Sequence, residues 1–502
     1  MLFNSIQFLL FFPAVLLVNY LLPFRVRYLW LLGCSYYFYM CWNPRYALLM
    51  ALSTAITYAS GLLIAGAHTS AHKHLWVVLS LCSNLAILFY FKYANFALRS
   101  LSAVLQAVHI SLNIPQLDVL LPVGISFYTF QALGYTLDVA RGTVEPERNP
   151  ARYALFVSFF PQLVAGPIER SGNLIHQLRE RHEFDFARAK SGVLRMLWGY
   201  FEKVVIADRA AVFVTQVYDN YTSYSGATFA AATVLFAVQV YCDFAGYSDI
   251  AIGASEVLGV KLMENFRQPY FATSLADFWS RWHISLSTWL GDYIFEPLVW
   301  SNWTARLPHF GRKKSGKPPV YSSLIITFII SGLWHGASWT YVVWGLLHGV
   351  LQVLGKMAKP LRRRTARALR LPVHSRGYRH FQQVLVFAMV CGAYVFFRAS
   401  SLSAALYILK SIFTTFNPWV LFDGTLLRMG LGSGEWRVLL VCIAILWWTD
   451  IRHERGESLR AGLERCWRPV RWAAYCAIVL GITIFGVYGP QFNAARFIYF
   501  QF

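Results

Sequence analysis

Long apolar runs separated by short charged segments set the pattern of this chain. A spanning helix takes about 20 apolar residues. Met1–Phe24 and Tyr46–His72 hold no charged side chain. Further runs lie between Lys73 and Lys92, Asp219 and Asp243, Arg379 and Arg398, and Arg471 and Arg496, and Val320–Gly355 has no Asp, Glu, Lys or Arg. Shorter or more polar candidates are Tyr28–Trp42, Leu120–Val139, Gly192–Val217, Leu275–Trp300, Ala404–Phe416 and Val438–Thr449. The spacing predicts an all-α polytopic integral membrane protein with roughly eleven to thirteen transmembrane or re-entrant segments. Some of these are too short or too polar for simple crossings. Irregular backbone at membrane depth persists only where protein or a water-filled cavity surrounds it, so an interior cavity is expected. No internal repeat divides the chain, and residues 1–502 read as a single membrane domain.

One stretch has a length that one crossing cannot use. Val320–Gly355 is 36 residues, about 54 Å of helix at roughly 1.5 Å per residue. Strongly basic segments flank it, near 304–318 and 356–379, without an acidic residue in either. Cytoplasmic loops carry such an excess of Lys and Arg. The stretch is therefore expected to enter and return to the same side, as two short helices or a re-entrant pair. Its middle reads Ser331-Gly-Leu-Trp-His-Gly336, where two glycines suit a break. His335 is then expected deep in the protein at that break. Between Lys356 and Arg379 the apolar spacing leaves two readings open, a helix lying on the membrane surface or a loop.

Composition agrees. The 502 residues are 57% hydrophobic and 14% charged, which excludes an ordinary soluble domain, a disordered chain and a coiled coil. The net charge is +21, from 45 Lys+Arg against 24 Asp+Glu. Confined to short segments between apolar runs, it reads as cytoplasmic loops facing anionic membrane lipids rather than as a nucleic-acid surface. The uncharged first 24 residues lack the basic start of a signal peptide. Arg25 and Arg27 come directly after this run, which favours an outside N-terminus. The eight cysteines are scattered and form no CxxC pair, so buried thiols are expected rather than a disulfide framework or zinc site.

Ionisable groups in membrane segments are costly and point to function, ion pairing or capping. Three groups stand out. In Asp277-Phe-Trp-Ser-Arg-Trp-His283, Asp277 and Arg281 are four apart and can pair on a helix. His283 falls on a different face and is open to a structural or a chemical role. His335, between apolar runs, is equally open; a neutral imidazole there can act as a general base. His348 reads as a helix-packing residue. In Tyr241-Cys-Asp-Phe-Ala-Gly-Tyr-Ser-Asp249, the glycine between two carboxylates suggests a helix start or bend, with Asp249 as a cap or ion-pair partner. No nucleophile elbow, Walker loop or dinucleotide fingerprint occurs, and metal-ligand spacing is absent.

Five strings in order resemble the membrane-bound O-acyltransferases. They are Pro122-Val-Gly-Ile-Ser-Phe-Tyr-Thr-Phe-Gln131, Phe159-Phe-Pro-Gln-Leu-Val-Ala-Gly-Pro167, Tyr241–Asp249, Asp277–Ser285 and Ser331–Ala337. The similarity runs through nearly the whole chain, to Phe497-Ile-Tyr-Phe-Gln-Phe502. It fits the bacterial alginate O-acetylation branch better than the D-alanyl-transfer branch. The resemblance implies a ring of membrane helices around a thin central chamber, with a cytoplasmic funnel. It implies transfer of an acyl group from a thioester donor to a hydroxyl. His335 matches the family's invariant histidine and His283 its second polar position.

The resemblance also implies roles for single residues. His335 would remove the acceptor hydroxyl's proton as general base, and His283 would donate to the oxyanion or orient the acceptor. Trp282 and Trp334 would shape a dry substrate pocket, with Arg281 and Asp277 beside it. The basic loops would hold an anionic donor such as acetyl-CoA. No cofactor is expected beyond that donor. The bacterial inner membrane, a polysaccharide acceptor such as alginate, and a separate exported acetyltransferase partner are implied as well. Two other classes stay in view: a proton-coupled transporter, which would favour an internal repeat, and a scaffold of an export complex, whose histidines would be replaceable.

Overall fold

A computed structural model describes residues 1–110, 112, 114–301 and 320–488. The basic loop near 304–318 and the aromatic C-terminus at 497–502 lie outside the described residues. Among the described residues every regular element is helical. Among the described residues, five helices are long and apolar enough to cross a membrane: Pro44–Ala65, Ser70–Ala107, Gly226–Val257, Arg376–Arg398 and Arg468–Phe485. Ile6–Leu21, Val320–His335 and Leu402–Thr414 are apolar but shorter. Other expected segments appear as helices interrupted by π-turns, such as Phe201–Ala207 and Gly291–Phe295. The basic stretch after Lys356 is helical over Lys359–Ala368, bent 50° from the preceding helix.

The contacts gather into two compact units. Among the described residues, unit 1 draws on 1–196 and 247–263, and unit 2 on 197–246 and 264–488.

Unit 1 begins with α1 (Ile6–Leu21), α2 (Phe24–Met40) and α3 (Pro44–Ala65). Side-chain caps set two of these starts. Ser5 accepts from the Phe8 amide, and Asn43 from the Arg45 amide just after a proline. Two of the motif strings meet here. Gly124 has φ +74, and a Cβ on it would lie 2.6 Å from the Leu163 carbonyl oxygen; only glycine supplies both the left-handed backbone and the clearance. Buried amides close the core, with Gln131 and Gln162 both donating to the Phe156 carbonyl, at 2.7 and 2.9 Å.

Unit 2 carries the histidines. Its main building block is the hairpin of α4 (Val320–His335) and α5 (Trp339–Met357). Ser338 caps α5 by accepting from the Thr340 amide at 3.3 Å. The hairpin halves approach backbone to backbone. A Cβ on Gly332 would collide with the Tyr341 carbonyl, one on Gly345 with the Phe328 carbonyl, and one on Gly349 would reach Ile325 Cα at 3.0 Å. Small residues allow this approach where no solvent drives helices together. The expected break is present, and His335 is the last residue of α4.

The Tyr241–Asp249 string departs from the expectation of a helix start, bend or cap. It lies inside one uninterrupted helix, α6 (Gly226–Val257). Gly246 serves packing instead: a Cβ there would sit 2.6 Å from the Gly199 carbonyl oxygen and 3.0 Å from the Lys203 amide nitrogen. The carboxylates are ion-paired. Asp243 takes Lys203, which also donates to Asp208 at 2.9 Å. Within unit 1, Asp249 takes Arg195 at 2.7 Å. Pairing satisfies the buried charges of Lys203, Asp208 and Asp243, while the Arg195–Asp249 pair is half-buried.

The glycine packing predicts opposite signs for two substitutions in α5. Gly345→Ala destabilises the detergent-purified protein by about 1–3 kcal/mol through overpacking. Gly355→Ala, with nothing within 4 Å of its Cβ, is neutral or stabilises by up to about 1 kcal/mol. Thermal unfolding midpoints that fall equally for both would rule out this account of the hairpin.

Candidate active site

His335 and His283 arrive by different routes. His335 ends α4 and is 2% exposed; His283 is 0% exposed. Their ring centroids are 6.3 Å apart. His335 also meets the rings of Trp334, Trp344 and Phe397, at 5.0, 5.0 and 5.4 Å. His283 meets Phe244 edge-on at 4.6 Å and Trp334 at 5.5 Å. Two imidazoles thus share one aromatic enclosure.

The backbone at His283 is unusual. Its φ of 43° and ψ of 56° are left-handed, a conformation that a non-glycine residue holds only under constraint. Asn265 supplies that constraint. Its carbonyl accepts from the Ile284 amide at 2.9 Å. Its side-chain Oδ1 takes Ser285 Oγ at 3.0 Å and lies 3.0 Å from His283 Nδ1. The Ser285 amide also reaches this atom at 3.4 Å. An amide N–H only donates, so the atom facing it is the oxygen. His283 Nδ1 therefore carries the proton, and the neutral ring keeps its lone pair at Nε2.

The flanking residues divide into two groups. Trp282 is buried against Phe266, at 5.0 Å, and stacks on Phe278 at 5.5 Å. Trp334 contacts both histidines. Arg281 and Asp277 form the ion pair expected from their spacing, at 2.7 Å. Arg281 also binds Glu454 at 2.6 Å, and Arg379 joins that carboxylate at 2.9 Å. This network ties the 277–283 segment to helix Ser433–Glu454. The Arg281 guanidinium is thus committed to two carboxylates.

Sequence reasoning did not find Asn265 or Trp344. Asn265 lies 18 residues from His283 with no periodic link. Trp344 looks like any apolar residue of α5. Its ring lies 5.0 Å from His335 and 4.9 Å from His348, and its buried indole N–H has no protein partner among the described residues. His348 packs, as expected, and receives the Trp279 indole N–H at Nδ1, 3.3 Å away.

Comparison with known proteins agrees with the motif strings. Residues 147–396 match the membrane-bound O-acyltransferase family. The chain is 37% identical over 463 residues to a probable alginate O-acetylase, AlgI, of Azotobacter vinelandii, covering 91% of this chain and 87% of that one. It is 33% identical over 410 residues to a peptidoglycan O-acetyltransferase of Helicobacter pylori, covering 76% and 73%. A teichoic acid D-alanyltransferase of Bacillus subtilis is 25% identical over 245 residues, covering 45% and 57%. A polytopic helical chain, a shared motif series and this extent of identity lead to one conclusion: the protein belongs to the membrane-bound O-acyltransferase family and is a multi-pass membrane acyltransferase.

Proposed function

We propose that the protein takes an acetyl group from a cytoplasmic thioester, acetyl-CoA or a related donor, and passes it across the bacterial inner membrane for O-acetylation of an exported polysaccharide such as alginate. The observation that carries this reading is the pair of buried histidines 6.3 Å apart in one aromatic enclosure. The names of the relatives support acetyl as the acyl group and a polysaccharide as the acceptor. A separate exported acetyltransferase completes the esterification. No cofactor beyond the donor takes part.

His335 acts as general base. It removes the acceptor hydroxyl's proton while the oxygen attacks the thioester carbonyl. The tetrahedral intermediate collapses, the C–S bond breaks, and the thiolate leaves with the proton from the imidazolium. The products are an ester and a thiol. His283 holds the acceptor: with Nδ1–H committed to Asn265, neutral Nε2 accepts a hydroxyl hydrogen bond and has no proton for an oxyanion. That charge falls to another donor, and the Trp344 indole N–H beside His335 suits it. Trp282 and Trp334 keep water out of the enclosure.

Acetyl transfer from radiolabelled acetyl-CoA, with the cognate membrane and exported polysaccharide fraction, tests the reading. His335→Ala folds and loses transfer by about 10²–10⁴-fold, the range for a positioned base; equal transfer by both proteins removes His335 from the chemistry. Trp344→Phe keeps an aromatic ring and deletes one buried donor. It lowers transfer by about 10²-fold or more without lowering the unfolding midpoint, since an unpaired buried N–H is itself costly. Asn265→Leu slows transfer more than Asn265→Asp, which keeps an acceptor for His283 Nδ1–H. The reverse order would sink the proposed tautomer.

A further inference from the structure

Unit 1 contains a half-open cavity of about 260 Å³ that neither histidine lines. Its wall combines the end of α1 with the start of α2, and three guanidiniums line it, from Arg25, Arg27 and Arg152, against one carboxylate, Glu180. Glu180 is turned to His176, 3.0 Å away. Arg27 hydrogen-bonds to carbonyls alone, donating to Leu22, His182 and Tyr20 at 3.0, 2.7 and 3.4 Å. Carbonyl dipoles orient a guanidinium without cancelling its charge. Arg25 is exposed and makes no hydrogen bond or ion pair among the described residues. Arg152 reaches Glu147 at only 3.4 Å, while Arg179 holds that carboxylate at 2.9 Å. The Arg152 Nε–H is buried without a partner among the described residues.

Asn19 gives an independent sign of a ligand. It lines the cavity and is 3% exposed. Its side-chain oxygen is buried without a partner, and no other hydrogen bond among the described residues uses the amide. A buried amide left this way costs free energy. With Arg25 and Arg27 paired to no carboxylate among the described residues, the complementary group is an anion rich in acceptor oxygens. The surroundings say which kind. Phe24 forms part of the wall, and along α1 and α2 the surface is apolar: Leu17, Leu21, Val26 and Leu29 are 65%, 74%, 39% and 46% exposed. In a membrane chain that surface faces acyl chains. The cavity is smaller than the roughly 300–1,000 Å³ of sites that enclose a whole ligand, as suits a headgroup whose tails stay outside.

We propose that this cavity binds the phosphodiester headgroup of an anionic phospholipid. Arg25, the Arg152 Nε–H and the Asn19 amide supply donors, Arg27 supplies fixed positive charge, and the tails lie along α1 and α2. Basic pockets among membrane helices on the cytoplasmic side recognise such headgroups. The phosphates of a soluble donor share this chemistry but have no use for the apolar flank.

The test is native mass spectrometry of the detergent-purified full-length protein titrated with phosphatidylglycerol or phosphatidylcholine. Phosphatidylglycerol is retained preferentially, and excess coenzyme A does not displace it. Arg25→Gln removes a guanidinium that has no hydrogen bond or ion pair among the described residues, and Asn19→Leu fills the wall with a hydrocarbon. Each lowers phosphatidylglycerol retention about fivefold, the loss expected for one polar or basic contact to a headgroup. Arg437→Gln, a basic residue that does not line the cavity, leaves it unchanged. Unfolding midpoints confirm that each variant is folded, and loss in either cavity variant is read only from folded protein. Equal retention of the two lipids, or unchanged retention in both cavity variants, overturns the proposal. Displacement by coenzyme A overturns the lipid assignment and gives the cavity to a soluble phosphate.

Discussion

Backbone-to-backbone contact between α4 and α5 is the constraint on which the site depends. Gly332, Gly345 and Gly349 let the two helices approach so closely that backbone atoms occupy the space a Cβ would need. That closeness makes the turn after His335 short and places the imidazole at the tip of a rigid apolar hairpin. Aromatic rings from α5 and from helix Arg376–Arg398 then close over it. Dispersion and shape, rather than solvent exclusion, hold such helices together in a membrane. A histidine on a looser hairpin would sample many positions, and the general-base role proposed for His335 needs hydrogen-bond reach of the proton.

The second histidine is held by polar bonds instead. A left-handed backbone turns His283 inward, and Asn265 fixes both that turn and the tautomer of the ring. The segment before it is pinned at its other end, where Arg281 bridges Asp277 and Glu454. Charge and amide hydrogen bonds thus anchor one imidazole while glycine packing anchors the other. The two anchors lie on separate stretches of chain.

Buried charge elsewhere reflects the cost of leaving an ion without a partner at membrane depth. Buried Lys203 sits between two aspartates in a π-helical stretch, and the half-buried Asp249 faces Arg195. Partnered charges of this kind hold helices in register and need no ligand. Arg27, steadied by carbonyls, and Arg25, with no hydrogen bond or ion pair among the described residues, differ from them. The contrast separates charges that organise the fold from charges left for something else to meet.

Hydropathy was legible because it is local. A run of apolar residues between charges defines a helix wherever it lies in the fold, and two glycines beside His335 mark a break whatever packs there. The i,i+4 spacing of Asp277 and Arg281 likewise specifies a pair that needs no distant partner. Reading the Asp243–Asp249 string as a start, bend or cap misled, because Gly246 answers to a neighbouring backbone and not to its own helix. Asn265, Trp344 and the glycines at 345 and 349 carry no signal in spacing. Their roles come from atoms elsewhere along the chain that only the packed structure brings within reach. The sequence by itself determined a helical membrane chain, its family motifs and a histidine at a break. The tertiary structure decided which atoms surround that histidine, since hydrogen bonds and close packing act over a few ångströms and know nothing of distance along the chain.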